Sequence, residues 1–162
     1  MLGIGDIAPV FIADSTAGRV NLSDWLGVSP VVLIFYPKDF TPGCTKQLCA
    51  VRDSKSLYDK YNAQVLAVNP GTVEEHRTFA DKYGYDFPIV ADEDDEIRKA
   101  YGVGKILGLF MQSRTVFIIG SDGKIAYAEK GSPSTEEIIG VLSRPCCKSP
   151  KKTGGPPPAS SS

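Results

Sequence analysis

Six apolar residues in a row, Val31-Val32-Leu33-Ile34-Phe35-Tyr36, stop abruptly at Pro37. A strand without polar alternation is buried on both faces, so it belongs in the middle of a sheet with helices packed on either side. It is far too short for the ~20 residues that cross a bilayer. The rest of the chain supplies the partners such a strand needs. Thr41-Pro42 opens a helix, because Thr suits the N-cap and Pro the first helical position, and that helix is expected to run toward Tyr61. Ala63 to Val68 reads as the next strand, closed by the turn signal Asn69-Pro70-Gly71. Thr72 starts a helix to about Tyr83 with Glu75 at the capping-box position. A third strand over Phe87 to Val90 and a short helix over Asp92 to Tyr101 follow. Thr115 to Ile119 and Lys124 to Ala128 flank the hairpin turn Gly120-Ser121-Asp122-Gly123, and Ser134 to Leu142 is a last helix. The order predicts an α/β domain: a central mixed sheet flanked by helices, its first strands parallel and its hairpin antiparallel.

The pattern ends near Leu142. Residues 143–162 hold five of the twelve prolines, four basic residues and no acidic ones, so this stretch is expected to be a disordered tail behind a domain of residues 1–142. Hydrophobic residues make up 42% of the chain and charged residues 23%, with a formal net charge of −1. That balance gives no bias toward nucleic acid or an anionic membrane. The N-terminus lacks a basic region ahead of an apolar core, which argues against a secretory signal and for a cytoplasmic setting. Four cysteines are too few and too clustered for a disulfide scaffold. The only histidine is His76, and adjacent Cys146-Cys147 make a poor knuckle, so no zinc or other metal is expected.

The segment Pro37-Lys38-Asp39-Phe40-Thr41-Pro42-Gly43-Cys44-Thr45 carries the chemistry. It leaves the carboxyl end of a central strand, where open α/β sheets bind ligands. Cys44 falls in the first turn of the following helix, where free backbone N–H groups and the helix dipole favour a thiolate. Gly43 permits close approach to the backbone. Thr41 offers a hydroxyl to the sulfur or to a bound oxygen. Pro37 and Pro42 give rigid apolar walls without a competing N–H. Such a thiolate attacks the O–O bond of a peroxide and becomes a sulfenic acid. A forked cation is the best stabiliser of the developing charge. Arg114, just ahead of a strand, and Arg52, on the same helix as Cys44, are the candidates.

Cys49 is the natural partner for that sulfenic acid, with burial in the helix core as the plain alternative. Five residues of α-helix advance about 7.5 Å and turn about 140°. The two Cα atoms are then about 8–9 Å apart, beyond the roughly 7 Å a disulfide spans. A Cys44–Cys49 bond therefore requires local unwinding of residues 42 to 50.

Pro37…Thr41…Cys44 reproduces the Pro-x-x-x-Thr-x-x-Cys signature of peroxiredoxins, and FYPKDFTPGCTKQLCAVRD resembles the peroxiredoxin Q, or bacterioferritin comigratory protein, subgroup. The likeness extends over roughly residues 3 to 142, including Gly5-Asp6-x-Ala8-Pro9-x-Phe11 and Ser113-Arg114-Thr115-x-Phe117-x-Ile119. The resemblance implies a thioredoxin-like fold, Cys44 as peroxidatic cysteine, Cys49 as resolving cysteine, and Pro37, Thr41 and Arg114 as the other active-site residues, which favours Arg114 over Arg52. It also implies hydrogen peroxide and alkyl hydroperoxides as substrates, thioredoxin or a similar dithiol as reductant, a monomer, and no cofactor. The chain departs from the family's Thr-x-Glu-x-Cys in having Thr45-Lys46-Gln47-Leu48-Cys49, with one negative charge fewer.

The remaining singular residues have plain readings. His76 shares one arc of its helix with Val73, Phe79, Ala80 and Tyr83, which makes it a packed core histidine rather than a base for Cys44. Asp92-Glu93-Asp94-Asp95-Glu96 lacks calcium-loop spacing and reads as a solvated helix start. Cys146 and Cys147, beside Lys148, Lys151 and Lys152, are exposed thiols without a role, or else a lipidation site or redox handle.

Overall fold

The computed structural model describes residues 1–106 and 111–145. Seven strands form one sheet: β1 (Ile12–Ser15), β2 (Gly18–Asn21), β3 (Val31–Phe35), β4 (Gln64–Asn69), β5 (Ile89–Ala91), β6 (Thr115–Ile119) and β7 (Ile125–Lys130), in the order β2-β1-β5-β4-β3-β6-β7. The α-helices among the described residues are α1 (Pro42–Asp53), α2 (Lys55–Lys60), α3 (Val73–Tyr83), α4 (Glu96–Ala100) and α5 (Thr135–Leu142). Strand β3 lies near the centre, parallel to β4 and antiparallel to β6. Its residues divide by the two-residue period of a strand. Val32, Ile34 and Tyr36 pack with Cys44 and Leu48 of α1, Phe79 of α3 and Ile138 of α5. Val31, Leu33 and Phe35 pack on the other face with Leu22, Ile97, Tyr101 and Phe117. Burying a Val, Leu, Ile or Phe side chain stabilises by roughly 1.5–3 kcal/mol, so β3, buried throughout, holds both layers of the domain.

Most expected elements are present, and the differences have local causes. The helix expected from Thr41-Pro42 to Tyr61 is two helices. Ser54 leaves the helical region at φ −103° and ψ 15°, and the chain re-aims so that α2 buries Tyr58. Hairpin β1–β2 was not legible: its strands are four residues each, half exposed, with few apolar side chains to betray a period of two. The two-residue turn Thr16-Ala17 joins them; Gly18, just after it, takes φ +90°, and its carbonyl accepts the Ser15 hydroxyl at 2.6 Å. Helix α4 is shorter than the Asp92 to Tyr101 expectation. Asp92 is not solvated there but 4% exposed, with its carboxylate accepting the N–H groups of Ile97 and Arg98 at 3.0 and 2.9 Å. Helix α3 begins with the expected capping box between Thr72 and Glu75 and ends at Gly84, whose φ of +67° suits glycine. Among the described residues no helix is long and apolar enough to cross a membrane. Cys146, Cys147 and the remaining tail lie outside the described residues.

Candidate active site

Strand β3 delivers the chain to the carboxyl edge of the sheet, where Tyr36 to Thr41 turn it into α1. Two side chains from neighbouring segments fix the start of this loop. The buried Asn69 amide donates to the carbonyls of Tyr36 and Pro37 at 2.9 and 3.0 Å. The buried Gln112 amide donates to the carbonyls of Tyr36 and Val68 at 2.9 and 2.7 Å, tying β3 to β4.

The middle of the loop is held by Asp39. One carboxylate oxygen accepts the Tyr36 hydroxyl at 2.5 Å and the other meets His76 Nδ1 at 2.7 Å. His76 Nε2 lies 3.2 Å from the Asn69 carbonyl. A carbonyl only accepts, so Nε2 carries a proton, and a second proton is shared between Nδ1 and the Asp39 carboxyl. His76 is thus inward-facing, as its helix wheel indicates, and wholly buried. Its partner is the loop rather than a thiol. Burial, helped by Asp39, raises the Tyr36 pKa, which keeps the phenol protonated as the donor. Phe40 follows at φ +64°, a conformation that side-chain-bearing residues avoid. Its ring rests on Phe79, with centroids 4.9 Å apart. Asp39 pinned on one side and an extended Thr41 (φ −75°, ψ 145°) on the other leave Phe40 to make the turn.

Thr41 occupies the N-cap position, but its hydroxyl does not cap the helix; it donates to the Lys38 carbonyl at 2.8 Å. Its lone pairs remain to accept from a ligand. The first helical bond runs from the Thr45 N–H to the Thr41 carbonyl. The amides of Gly43 and Cys44 precede it, in the turn where N–H groups lack helical acceptors. Cys44 sits there, 1% exposed, and both described cysteines, Cys44 and Cys49, are free thiols.

Arg114 reaches the same turn because of sheet register. Strand β6 pairs with β3 through Phe35 and Thr115, so the residue before Thr115 stands where the chain leaves β3 for the loop. The guanidinium donates to the Gln47 side-chain oxygen at 2.7 Å, and a Cβ added at Gly43 would lie 3.1 Å from its Nη2. Gly43 is therefore the place where the cation crosses α1. Arg52 is directed elsewhere, onto Asp53 and, at 2.6 Å, the Tyr83 carbonyl. Gln47 was seen in the sequence only as a missing charge; its spacing of three from Cys44 was the available sign that the two share a helix face. Asp39, Asn69 and Gln112 carried no comparable sign, since the side-chain bonds that join them to other segments of the site span 32 or more residues.

Cys49 lies one and a half turns along the intact α1, partly buried, with its Sγ 3.3 Å from the Tyr85 hydroxyl. An open cleft of about 500 Å³ runs beside the loop, lined by Pro37, Phe40, Asn69, Pro70 and Met111 among others. Among the described residues no group of three or more His, Cys, Asp or Glu side chains is placed to hold a metal.

A mixed sheet flanked by helices, with a buried thiol in the first turn of the helix that follows a central strand and a guanidinium beside the neighbouring Gly43, is the architecture of a thioredoxin-like protein. The AhpC/TSA family pattern matches residues 4–128, and the chain belongs to that family. It is 37% identical over 137 residues to the chloroplastic peroxiredoxin Q of Triticum aestivum, covering 84% of this chain and 63% of the relative. The chain thus spans less than two thirds of that protein. Among solved structures it is similar to peroxidoxin BcpB of Mycobacterium tuberculosis, with TM-score 0.80, 29% identity and coverage of 88% of this chain and 97% of the other. A cysteine-to-serine mutant of PrxQ from Xylella fastidiosa matches with TM-score 0.80 and 28% identity over 88% of this chain and 96% of that one.

Proposed function

We propose that this chain is a thiol peroxidase in which Cys44 reduces hydrogen peroxide and alkyl hydroperoxides. The observation that carries the reading is the Arg114 guanidinium held over Gly43, beside a cysteine in the first turn of α1. The Cys44 thiolate attacks the terminal oxygen of the peroxide. An S–O bond forms, the O–O bond breaks, and the departing alkoxide takes a proton and leaves as an alcohol, or as water from hydrogen peroxide. Arg114 stabilises the charge that builds on the departing oxygen, and Thr41 Oγ1 accepts the O–H of the incoming peroxide. Pro37 walls the loop. The 1% exposure of Cys44 favours a small peroxide over a bulky protein disulfide as oxidant.

The product is a Cys44 sulfenic acid. Cys49 condenses with it: the Cys49 thiol and the sulfenic acid give the Cys44–Cys49 disulfide and one water. Thioredoxin or a similar dithiol then reduces the disulfide and is itself oxidised. The reading includes action as a monomer in the cytoplasm, where dithiol reductants keep thiols reduced. The similarity to peroxiredoxin Q relatives and the geometry of the Pro37-to-Cys44 loop support it. Mass spectrometry after one equivalent of hydrogen peroxide, with thiols blocked at once, tests it. A Cys44–Cys49 linkage within seconds is expected, and Cys44 remaining free would overturn the peroxidase reading.

A further inference from the structure

We propose that Tyr85 is a positioning residue for Cys49: its hydroxyl latches the helix segment that must unwind before the disulfide forms. The proposal rests on the resolving role given to Cys49 above. Tyr85 lies between α3 and β5, and its ring is fixed on three sides. It stacks on Tyr83 and Phe87, with centroids 5.8 and 5.2 Å away, and meets Phe79 edge-on at 5.2 Å. A ring held this way cannot follow α1 if α1 moves.

The hydroxyl makes two contacts with α1. It donates to the Thr45 carbonyl at 3.3 Å and lies 3.3 Å from Cys49 Sγ. A phenol has one proton, so while it donates to Thr45 it accepts from the Cys49 thiol. In an α-helix the Thr45 carbonyl is also the acceptor for the Cys49 N–H. One hydroxyl therefore ties down both the side chain of Cys49 and the backbone bond that holds Cys49 on the helix. Burial first, and then the Cys49 contact, raise the Tyr85 pKa, so the phenol keeps its proton.

The direction of the effect follows from geometry. On the helix the two cysteine Cα atoms are about 8–9 Å apart, beyond disulfide reach. Cys49 must leave Tyr85 before its sulfur can attack Cys44. The hydroxyl thus stabilises only the state in which resolution is impossible. While α1 stays wound, the sulfenic acid is open to a second peroxide, which oxidises it to sulfinic acid and leaves as water or alcohol. Tyr85 sets the partition between the two fates.

The test uses the full chain and compares Tyr85→Phe, which keeps the ring stack, with Tyr58→Phe, a buried tyrosine on α2 as control. Rapid mixing with peroxide, alkylation and mass spectrometry give the rates of Cys44 oxidation and of Cys44–Cys49 linkage. Losing hydrogen bonds of ordinary net strength should raise the linkage rate in Tyr85→Phe about threefold to tenfold and lower the sulfinic acid yield in proportion. Cys44 oxidation itself should not change, and Tyr58→Phe should alter neither. Hydrogen exchange of the reduced protein should show the amides near Cys49 opening faster by a similar factor, with α3 unaffected. Linkage that forms in the unmodified protein but is unchanged or slower in Tyr85→Phe overturns the latch alone. Failure of the unmodified protein to form the Cys44–Cys49 linkage overturns the resolving role and the latch with it.

Discussion

Gly43→Ala separates stability from chemistry. Gly43 is a helical residue of α1, outside the left-handed region, so alanine fits its backbone. Replacing a helical glycine by alanine stabilises by roughly 0.5–1 kcal/mol, and in a domain of this size about 1 kcal/mol raises Tm by about 2–4 °C. The new methyl group, however, would stand 3.1 Å from Arg114 Nη2. Ordinary contact is about 3.5–4.0 Å, so the guanidinium must retreat by about half an ångström. For unit charges 4 Å apart at an effective dielectric of 20 the attraction is about 4 kcal/mol, and retreat to 4.5 Å loses about 0.5 kcal/mol. That alone slows peroxide attack about twofold to threefold. If the retreat also breaks the 2.7 Å bond to Gln47, the guanidinium loses its alignment and the loss approaches the ~10²-fold seen on removing one oxyanion donor. The expected result is a protein that melts slightly later and oxidises Cys44 at least twofold more slowly. Melting curves and the second-order rate of Cys44 oxidation, followed by competition for limiting peroxide, provide the two readings. A raised Tm with an undiminished rate would refute the claim that Arg114 acts from above Gly43.

Three further outcomes are expected. Arg114→Lys keeps the charge but loses the fork that binds Gln47, so kcat/KM for hydrogen peroxide should fall about 10²-fold with the fold intact by circular dichroism. Asp39→Ala leaves the Tyr36 hydroxyl and His76 Nδ1 without their acceptor and should cost roughly 1–3 kcal/mol in urea denaturation; Asp39→Asn, whose amide can donate to a neutral His76 and still accept from Tyr36, should recover most of it. The amide and hydroxyl of Thr72 hold the exposed Glu75 carboxyl below the usual carboxylate range. A lowered folded-state pKa stabilises above the unfolded pKa, and that contribution is lost as pH falls through the folded one. Thr72→Ala should therefore cost about 1 kcal/mol near neutral pH and less in acid, and a cost that grows on acidification would contradict the capping box.

The local signals in the sequence were sufficient for much of the site. Val31 to Tyr36 could only be a doubly covered strand, because it offers no polar face. Thr41-Pro42 marked the start of α1 and put Cys44 in its first turn. Thr72 and Glu75 marked α3, and the helix period turned His76 inward. Each of these rests on residues within a few positions of one another, where helix and strand periods or capping chemistry act. The sequence misjudged what depends on how the chain continues in space: the break at Ser54, the β1–β2 hairpin, and Asp92, which is buried under α4 rather than solvated. Tertiary structure alone decided which cation lies beside the first turn of α1. Arg52 is nearer to Cys44 in sequence, yet the antiparallel register of β3 and β6, with Phe35 beside Thr115, brings Arg114 across instead. It likewise joined Asp39 to His76 and Cys49 to Tyr85, pairs 37 and 36 residues apart. Such contacts are fixed by strand pairing and by the packing of helices on the sheet, which no local period encodes.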